Sequence, residues 1–222
     1  MTTFFKWLWR FNALGIAVLL ISAALIGSWG FYQIITQRHV HNVIKTDKSS
    51  SVKDSYKLGT LQTWAKNKYG IAPLYLNQHI EESYYSKSSE SNIVNYLFVH
   101  LSDGKAHWLF PHSNFLILKM IPLSKSSSSK TPPEAILYEL VKTGAEKSQK
   151  LTANDPKTLA ISQPDGSQYV ELFSNILTFY DAQLTHQGDI LLVFEDQKGF
   201  QTAVVHKGTL TIKHKMLAPT CK

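Results

Sequence analysis

The chain has 222 residues, of which 44% are hydrophobic, 12% are aromatic and 18% are charged. This composition excludes collagen-like, coiled-coil and wholly disordered chains. The formal charge of +7 is spread over many lysines, and no arginine cluster of the kind that contacts phosphate or guanine is present, so we expect no nucleic-acid partner. The single cysteine, Cys221, excludes an intrachain disulfide.

The first predicted element is a transmembrane anchor over residues 11–36, which follows a short N-terminal tail over residues 1–10. Residues 11–36 contain no Asp, Glu, Lys or Arg. A helix of this length rises about 39 Å, which exceeds the roughly 30 Å hydrocarbon core of a bilayer. Aromatic and basic side chains flank the segment and suit the membrane interface. The predicted interface residues are Trp7, Trp9, Arg10, Trp29 and Tyr32.

The fate and orientation of this segment leave alternatives open. Ser22, Ala23 and Ala24 offer the small residues of a cleaved signal peptide, but the apolar run continues past Ala24, which favours an uncleaved anchor. Basic residues are more numerous after the span than before it, and this count favours a cytoplasmic domain. A short basic tail directly against the span is typical of a signal anchor, and we therefore predict an exported domain.

Residues 37–55 are polar and lack a periodic apolar face, so they are predicted to form a juxtamembrane tether. The remaining residues, 56–222, are predicted to form a β-rich soluble domain. Two serine-rich segments, residues 83–92 and 124–133, are predicted surface loops. The first contains Tyr84 and Tyr85, which we predict as a binding position. Residues 61–69 are the best candidate for a short helix.

The strongest predicted hairpin covers residues 95–110 around Asp103-Gly104, which suits a two-residue type I′ turn. That turn would pair His100 with His107 and Val99 with Trp108. Both faces of the hairpin are apolar, so both are expected to be covered. Further single strands are predicted over residues 73–77, 116–121, 136–141 and 209–216.

Two more hairpins are predicted towards the C-terminus. Residues 159–172 turn at Pro164-Asp165-Gly166, where proline and glycine suit the first and last turn positions. Residues 189–206 turn between Asp196 and Gly199. About nine or ten strands result, and the fold class is mainly β: an N-terminal transmembrane helix followed by an antiparallel, hairpin-rich β domain. The turn glycines are spaced by 62 and 33 residues, so an open blade-like partial propeller, or a sandwich, fits better than a closed ring.

The segment LAISQPDGSQYVEL at residues 159–172 resembles one strand–turn–strand unit of the TolB-type β-propeller repeat. More broadly, the sequence resembles a group of gammaproteobacterial single-pass membrane proteins. The resemblance lies in residues 9–14 (WRFNAL), residues 96–111 (YLF…G…WLFP) and residues 159–167 (LAISQPDGS). It implies a single-pass anchor in the bacterial inner membrane. The flanking charges described above place the domain in the periplasm or, as the alternative, in the cytoplasm. The resemblance implies no activity.

Candidate chemistry is sparse. In the predicted register His100 and His107 would have Cβ atoms about 5 Å apart and could share a metal. His112 is the third candidate ligand, and a stacked histidine pair is the alternative. Gly-x-Ser-x-Gly, P-loop and Gly-x-Gly-x-x-Gly motifs are absent, so we predict no enzyme activity and no cofactor.

Four other aromatic residues could form a binding surface: Trp64, Trp108, Phe179 and Tyr180. We expect most of them to pack in the core instead. We therefore predict a membrane-anchored, non-catalytic interaction, assembly or accessory protein that displays its β domain on the periplasmic side, with the lipid bilayer and a protein as its partners. The alternative is a ligand- or metal-sensing domain of the cell envelope that uses the hairpin of His100 and His107.

Overall fold

The computed structural model describes residues 43–45, 54–64, 68–78, 91–125, 131–144 and 150–219, together with single positions between residues 7 and 28. The chain divides into two compact units, Met1–His39 and Val40–Lys222. The described positions of the first unit are helical. Among the residues described, no helix is long and apolar enough to cross a membrane. Most of the predicted anchor lies outside the described residues.

The second unit is built of antiparallel β-strands, which confirms the mainly β prediction. Fifteen strands occur in its described part, more than the nine or ten predicted, because several are too short to show a pattern. They are β1 (Val43–Lys45), β2 (Asp54–Leu58), β3 (Gln62–Thr63), β4 (Tyr69–Gln78), β5 (Ser91–His100), β6 (Ala106–Trp108), β7 (Leu116–Leu123), β8 (Ala135–Val141), β9 (Lys150–Thr152), β10 (Lys157–Ser162), β11 (Val170–Ile176), β12 (Thr178–Leu184), β13 (Ile190–Asp196), β14 (Gly199–His206) and β15 (Thr211–Leu217).

The strands form a nine-stranded sheet, a four-stranded sheet and the two-stranded sheet of β1 and β9. Three successive four-stranded meanders can be traced in the two larger sheets, and this is the strand arrangement of propeller blades. The first meander has the order β2-β4-β5-β6, the second β7-β8-β10-β11 and the third β12-β13-β14-β15. β3 extends the first meander by pairing with β4. One residue pair, Ile93 with Ile117, joins the first two meanders. The antiparallel sheets of the domain therefore resemble a partial propeller.

Three buried clusters hold the meanders together. The cluster between the first and second contains Phe98 and Tyr138, whose hydroxyl lies 2.9 Å from Ser162 Oγ. The cluster between the second and third contains Ile161 and Phe194. In β13, Ile190, Leu192 and Phe194 are fully buried because alternate side chains of a strand point to one face.

The two C-terminal hairpins and the single strands are confirmed. In the first of these hairpins, β10 pairs with β11. Gly166 N donates to Gln163 O over 2.9 Å, and Ser167 N donates to Asp165 Oδ1 over 3.0 Å. In the second, Asp196 pairs with Gly199. Proline, aspartate and glycine at fixed turn positions therefore determined the local structure.

The predicted register of the hairpin over residues 95–110 is wrong by two residues. His107 pairs with Phe98, and Trp108 pairs with Leu97. Asp103 causes the shift: its Oδ1 accepts from Lys105 N over 3.1 Å and lies 2.7 Å from His100 Nδ1. These contacts stabilise a four-residue loop, residues 101–104, in place of the two-residue turn.

Two further expectations about this region are wrong. The hairpin is not covered on both faces, because Leu101 is 46% and Trp108 is 43% exposed. The described residues of the predicted helix over residues 61–69 are not helical: residues 62–63 are strand β3, and β4 begins at Tyr69, while residues 65–67 lie outside the described residues. Pairing with β4 outweighs the weak helical preference of this segment. The side chain of Leu61 also packs directly on Gly70.

The folded domain begins before residue 56, within the segment predicted as a tether. β1 pairs with β9, with Ile44 opposite Leu151. Ile44 is 1% exposed and belongs to a cluster with Leu76, Val94 and Leu116. A single buried side chain gives no periodic signal, so the sequence pattern did not reveal this strand.

Candidate interaction surface

The third meander has a face of mixed apolar and polar side chains that points away from the domain core, here called the outer face. Alternation along the strands places its residues opposite the buried ones, and Tyr180 joins it at the irregular pairing in β12. Its apolar members are Tyr180, Leu191, Val193, Phe200, Val204 and Met216, and its polar members are Thr178, Asp181, Gln183, Glu195, Thr202 and His214. Tyr180 is 49%, Phe200 55% and Met216 60% exposed. Large apolar side chains at this exposure, gathered on one sheet face, are typical of protein-binding surfaces.

An aromatic pair forms one corner of the outer face. Glu195 lies directly opposite Phe200 across the strand pair. Tyr180 OH donates a hydrogen bond to Glu195 Oε2 over 2.8 Å, and the rings of Tyr180 and Phe200 lie 5.7 Å apart. The hydrogen bond to the carboxylate raises the pKa of Tyr180. Tyr180 therefore remains a protonated donor at neutral pH, and its ring is held in one orientation beside Phe200.

β15 is the edge of this sheet and contributes Met216 to the outer face. In the described part of the chain β15 pairs only with β14. Edge lysines usually discourage a second chain from pairing, but the two lysines of β15 are engaged within the domain. Lys213 Nζ donates to Asp189 Oδ2 over 2.5 Å. Lys215 Nζ donates to Asp196 Oδ2 over 2.8 Å, and it also lies 5.3 Å from the Phe194 ring centroid.

The size of the outer face limits the kind of complex that it supports. Four strands of about seven residues cover roughly 450 Å². A standard interface buries about 800 Å² on each partner. The outer face is therefore large enough for the energetic centre of an interface, and the partner is expected to contact flanking residues as well.

The structure does not bring the three predicted metal-ligand histidines together. His100 contacts Asp103, and its ring lies 5.0 Å from that of Tyr69. His107 stacks on Phe98 at 5.5 Å. The ring of His112 lies 4.5 Å from that of Phe115. Within the described ranges no group of three or more His, Cys, Asp or Glu side chains is arranged to hold a metal. The sensing alternative assumed that His100 lies opposite His107, but His107 lies opposite Phe98.

Most other predicted site residues lie outside the described residues. These are the binding position Tyr84 and Tyr85 and the interface residues Arg10, Trp29 and Tyr32. Trp7 and Trp9 are described: both are helical and are 65% and 78% exposed. Their placement at a membrane interface stays a prediction.

Of these residues, only Tyr180 was predicted from the sequence as a candidate binding residue; Phe200, Glu195 and Met216 were not predicted. A signal was available in residues 190–194, which read ILLVF. A strand that is apolar on both faces must bury both faces or expose one of them. The core covers only the face that carries Phe194, so Leu191 is left 36% exposed.

The comparisons with known proteins concern the fold. No protein-family model matches the chain, and no curated protein matches it. Among solved structures, the chain is similar to the β-propeller domain of the Trilobed protease from Pyrococcus furiosus, which has an open velcro topology. The sequence identity is 8% and the TM-score is 0.40. The match covers 74% of this chain and 43% of the chain of the solved structure. This chain therefore spans less than half of the length of that structure.

Proposed function

We propose that the protein is a membrane-anchored, non-catalytic interaction protein that binds a protein partner through the outer face of its third meander. The observation that carries the proposal is the exposed group of Tyr180, Phe200 and Met216 beside the free edge of β15. Aromatic side chains contribute a large share of the binding energy in protein interfaces. Tyr180 is already fixed by Glu195, so little side-chain entropy is lost when a partner covers it.

The negative charge on this face, from Glu195 at the aromatic corner and Asp181 opposite Val193, favours a different protein over a second copy. A two-fold dimer centred here would place two Glu195 carboxylates near each other, and like charges in an interface are unfavourable. A partner with an apolar ridge and a Lys or Arg beside it complements both the rings and Glu195. We therefore propose a heterologous partner with a basic group at this position.

The proposed location is the bacterial inner membrane, with residues 11–36 as the anchor and the domain in the periplasm. Cys221 is the only cysteine of the chain and can be labelled without mutagenesis. We expect a membrane-impermeant maleimide to label it on intact spheroplasts, while a cytosolic thiol protein stays unlabelled. Labelling only after lysis, with the thiol reactive in detergent, would place the domain in the cytoplasm instead.

The partner surface is tested by site-specific photocross-linking of the full chain in native membranes. A benzophenone amino acid in place of Phe200 should form one discrete adduct with another protein. The same probe in place of Tyr56, which is 51% exposed on β2, should not. A partner that packs on the outer face must contact the first position and has no reason to contact the second.

A second substitution shows whether the adduct depends on the outer face. Met216→Asp buries a charge in the interface and should reduce the adduct about tenfold. Leu58→Asp is the matched control, because Leu58 is 48% exposed but lies on β2. No adduct above the Tyr56 background, or an adduct that survives Met216→Asp, would contradict the proposal.

A further inference from the structure

β15 is an exposed strand at the edge of the third meander. All seven of its residues, Thr211–Leu217, are exposed, and in the described part of the chain it pairs only with β14. Three of its side chains are large and apolar: Ile212 is 43%, Met216 is 60% and Leu217 is 59% exposed. A strand edge of this length that carries exposed apolar side chains is a template for pairing with another strand.

The backbone of β15 directs hydrogen-bonding groups away from the sheet. Ala218 N donates to Phe200 O over 2.8 Å, and Leu217 lies opposite Gln201. Hydrogen-bonded and non-hydrogen-bonded pairs alternate along antiparallel strands, so the N–H and C=O groups of Leu217 and Lys215 point away from β14. No strand of the described structure lies on that side of β15. These four groups therefore face the position that an added strand would occupy.

The features that usually protect an edge strand are weak in the second half of β15. The pairing with β14 is irregular at Lys213, and a bulge of this kind disrupts pairing locally, but residues 214–217 form a regular edge. Lys215 Nζ donates to Asp196 Oδ2 over 2.8 Å and lies 5.3 Å from the Phe194 ring centroid. The ammonium group is therefore drawn back over the domain, where it does little to repel an incoming strand.

The size of the interface gives a separate reason for an added strand. The outer face covers roughly 450 Å², which is less than the about 800 Å² that a standard interface buries on each partner. A strand laid along the about 23 Å of β15 adds roughly 200 Å² at a sheet thickness of about 10 Å. The outer face and this edge together reach the about 600–1,000 Å² per partner of standard interfaces.

We infer that the protein partner binds by adding an extended segment as a fifth strand beside β15, next to its contact with the outer face. The inference rests on the proposed function, because it states how the same partner binds. Met216 lies on the outer face, and Leu217 lies on the opposite face because it pairs with buried Gln201. The segment therefore carries apolar side chains on both of its faces, and it lacks proline where it pairs with Lys215 and Leu217.

The backbone pairing is tested by Leu217→Pro in the full chain that carries the benzophenone probe in place of Phe200. This change removes an N–H that points away from β14 and keeps the bonds to β14. We expect about tenfold less adduct, because a hydrogen bond and the strand geometry are lost. Leu58→Pro is the matched control and should leave the adduct unchanged. Leu58 lies on the edge strand β2, and its N–H also points outwards, because Gly59 N donates to Pro73 O.

A second pair of variants decides the question if thermal unfolding shows that Leu217→Pro disturbs the domain. Leu217→Lys retains the N–H but places an unengaged ammonium group on the edge, and it should also reduce the adduct about tenfold. Leu58→Lys is its control and should have no effect. An adduct that survives Leu217→Lys, or that survives Leu217→Pro in a folded domain, would overturn this inference and leave the proposed function intact. No adduct in the chain without these changes would overturn both.

Discussion

Gly166→Ala should destabilise the domain by about 2–4 kcal/mol, the sum of a backbone cost and a steric cost. Gly166 has a φ of +80°, where an alanine is strained. Its added Cβ would lie 2.6 Å from two atoms of the Phe98 ring. Phe98 is fully buried and stacked on His107, so the ring has little room to move. Denaturant unfolding of the full chain in mild detergent, followed by tryptophan fluorescence, measures the loss.

Gly104→Ala is the matched control for this prediction. Gly104 has a similar φ of +70°, but an added Cβ meets no atom within 4 Å. Its substitution should cost only the backbone strain, about 1 kcal/mol. Phe98→Leu should also be less harmful in the Gly166→Ala background than alone, because the two changes share one contact. Equal losses for the two glycine variants would show that the close packing of the turn on Phe98 is incorrect.

Phe194→Ala should destabilise the domain by about 3–5 kcal/mol, the usual cost of removing a buried phenylalanine. Phe194 is fully buried between the second and third meanders. Its ring lies 4.6 Å from that of Phe173, and Lys215 covers it. The truncation therefore leaves a cavity in the cluster that joins these two meanders. The same unfolding measurement detects it.

Phe200→Ala makes the same chemical change on the opposite face of the same sheet. Phe200 is 55% exposed, so the free energy of unfolding should change by no more than about 0.5 kcal/mol. The two variants together test which face of the third meander is the core. A large loss in Phe200→Ala would mean that the outer face is buried by the chain itself and is unavailable to a partner.

The turns show what the sequence could predict about the fold. Pro164, Asp165 and Gly166 act on their own backbone, so a local pattern sufficed for the hairpin of β10 and β11. In the hairpin of β5 and β6 the same Asp-Gly signal led to the wrong register, because the Asp103 side chain contacts His100 and Lys105. β1 was missed because its partner strand is distant in the sequence, and β3 was missed because it is only two residues long and gives no pattern of its own.

The candidate sites depended even more on tertiary structure. Whether Tyr180 belongs to the core or to the surface follows from the irregular pairing beside it in β12, which alternation alone does not predict. Glu139 had a usable signal: it is the only charged residue in AILYELV, and an ionisable group in a buried strand requires a partner or a function. A cavity beside Glu139 is lined in part by residues 177–179, so it could not be predicted without the position of the third meander.

The pairing of β1 with β9 has a consequence for how the chain folds during synthesis. Ile44 lies opposite Leu151, so its partner is translated roughly 110 residues later. At about 5–20 residues per second, the ribosome needs about 5–20 seconds to supply it. During that interval Ile44 lacks its native partner strand, and the backbone of β1 is available to chaperones or proteases. Synthesis of this domain is therefore expected to depend on protection of its first strand until the second meander is complete.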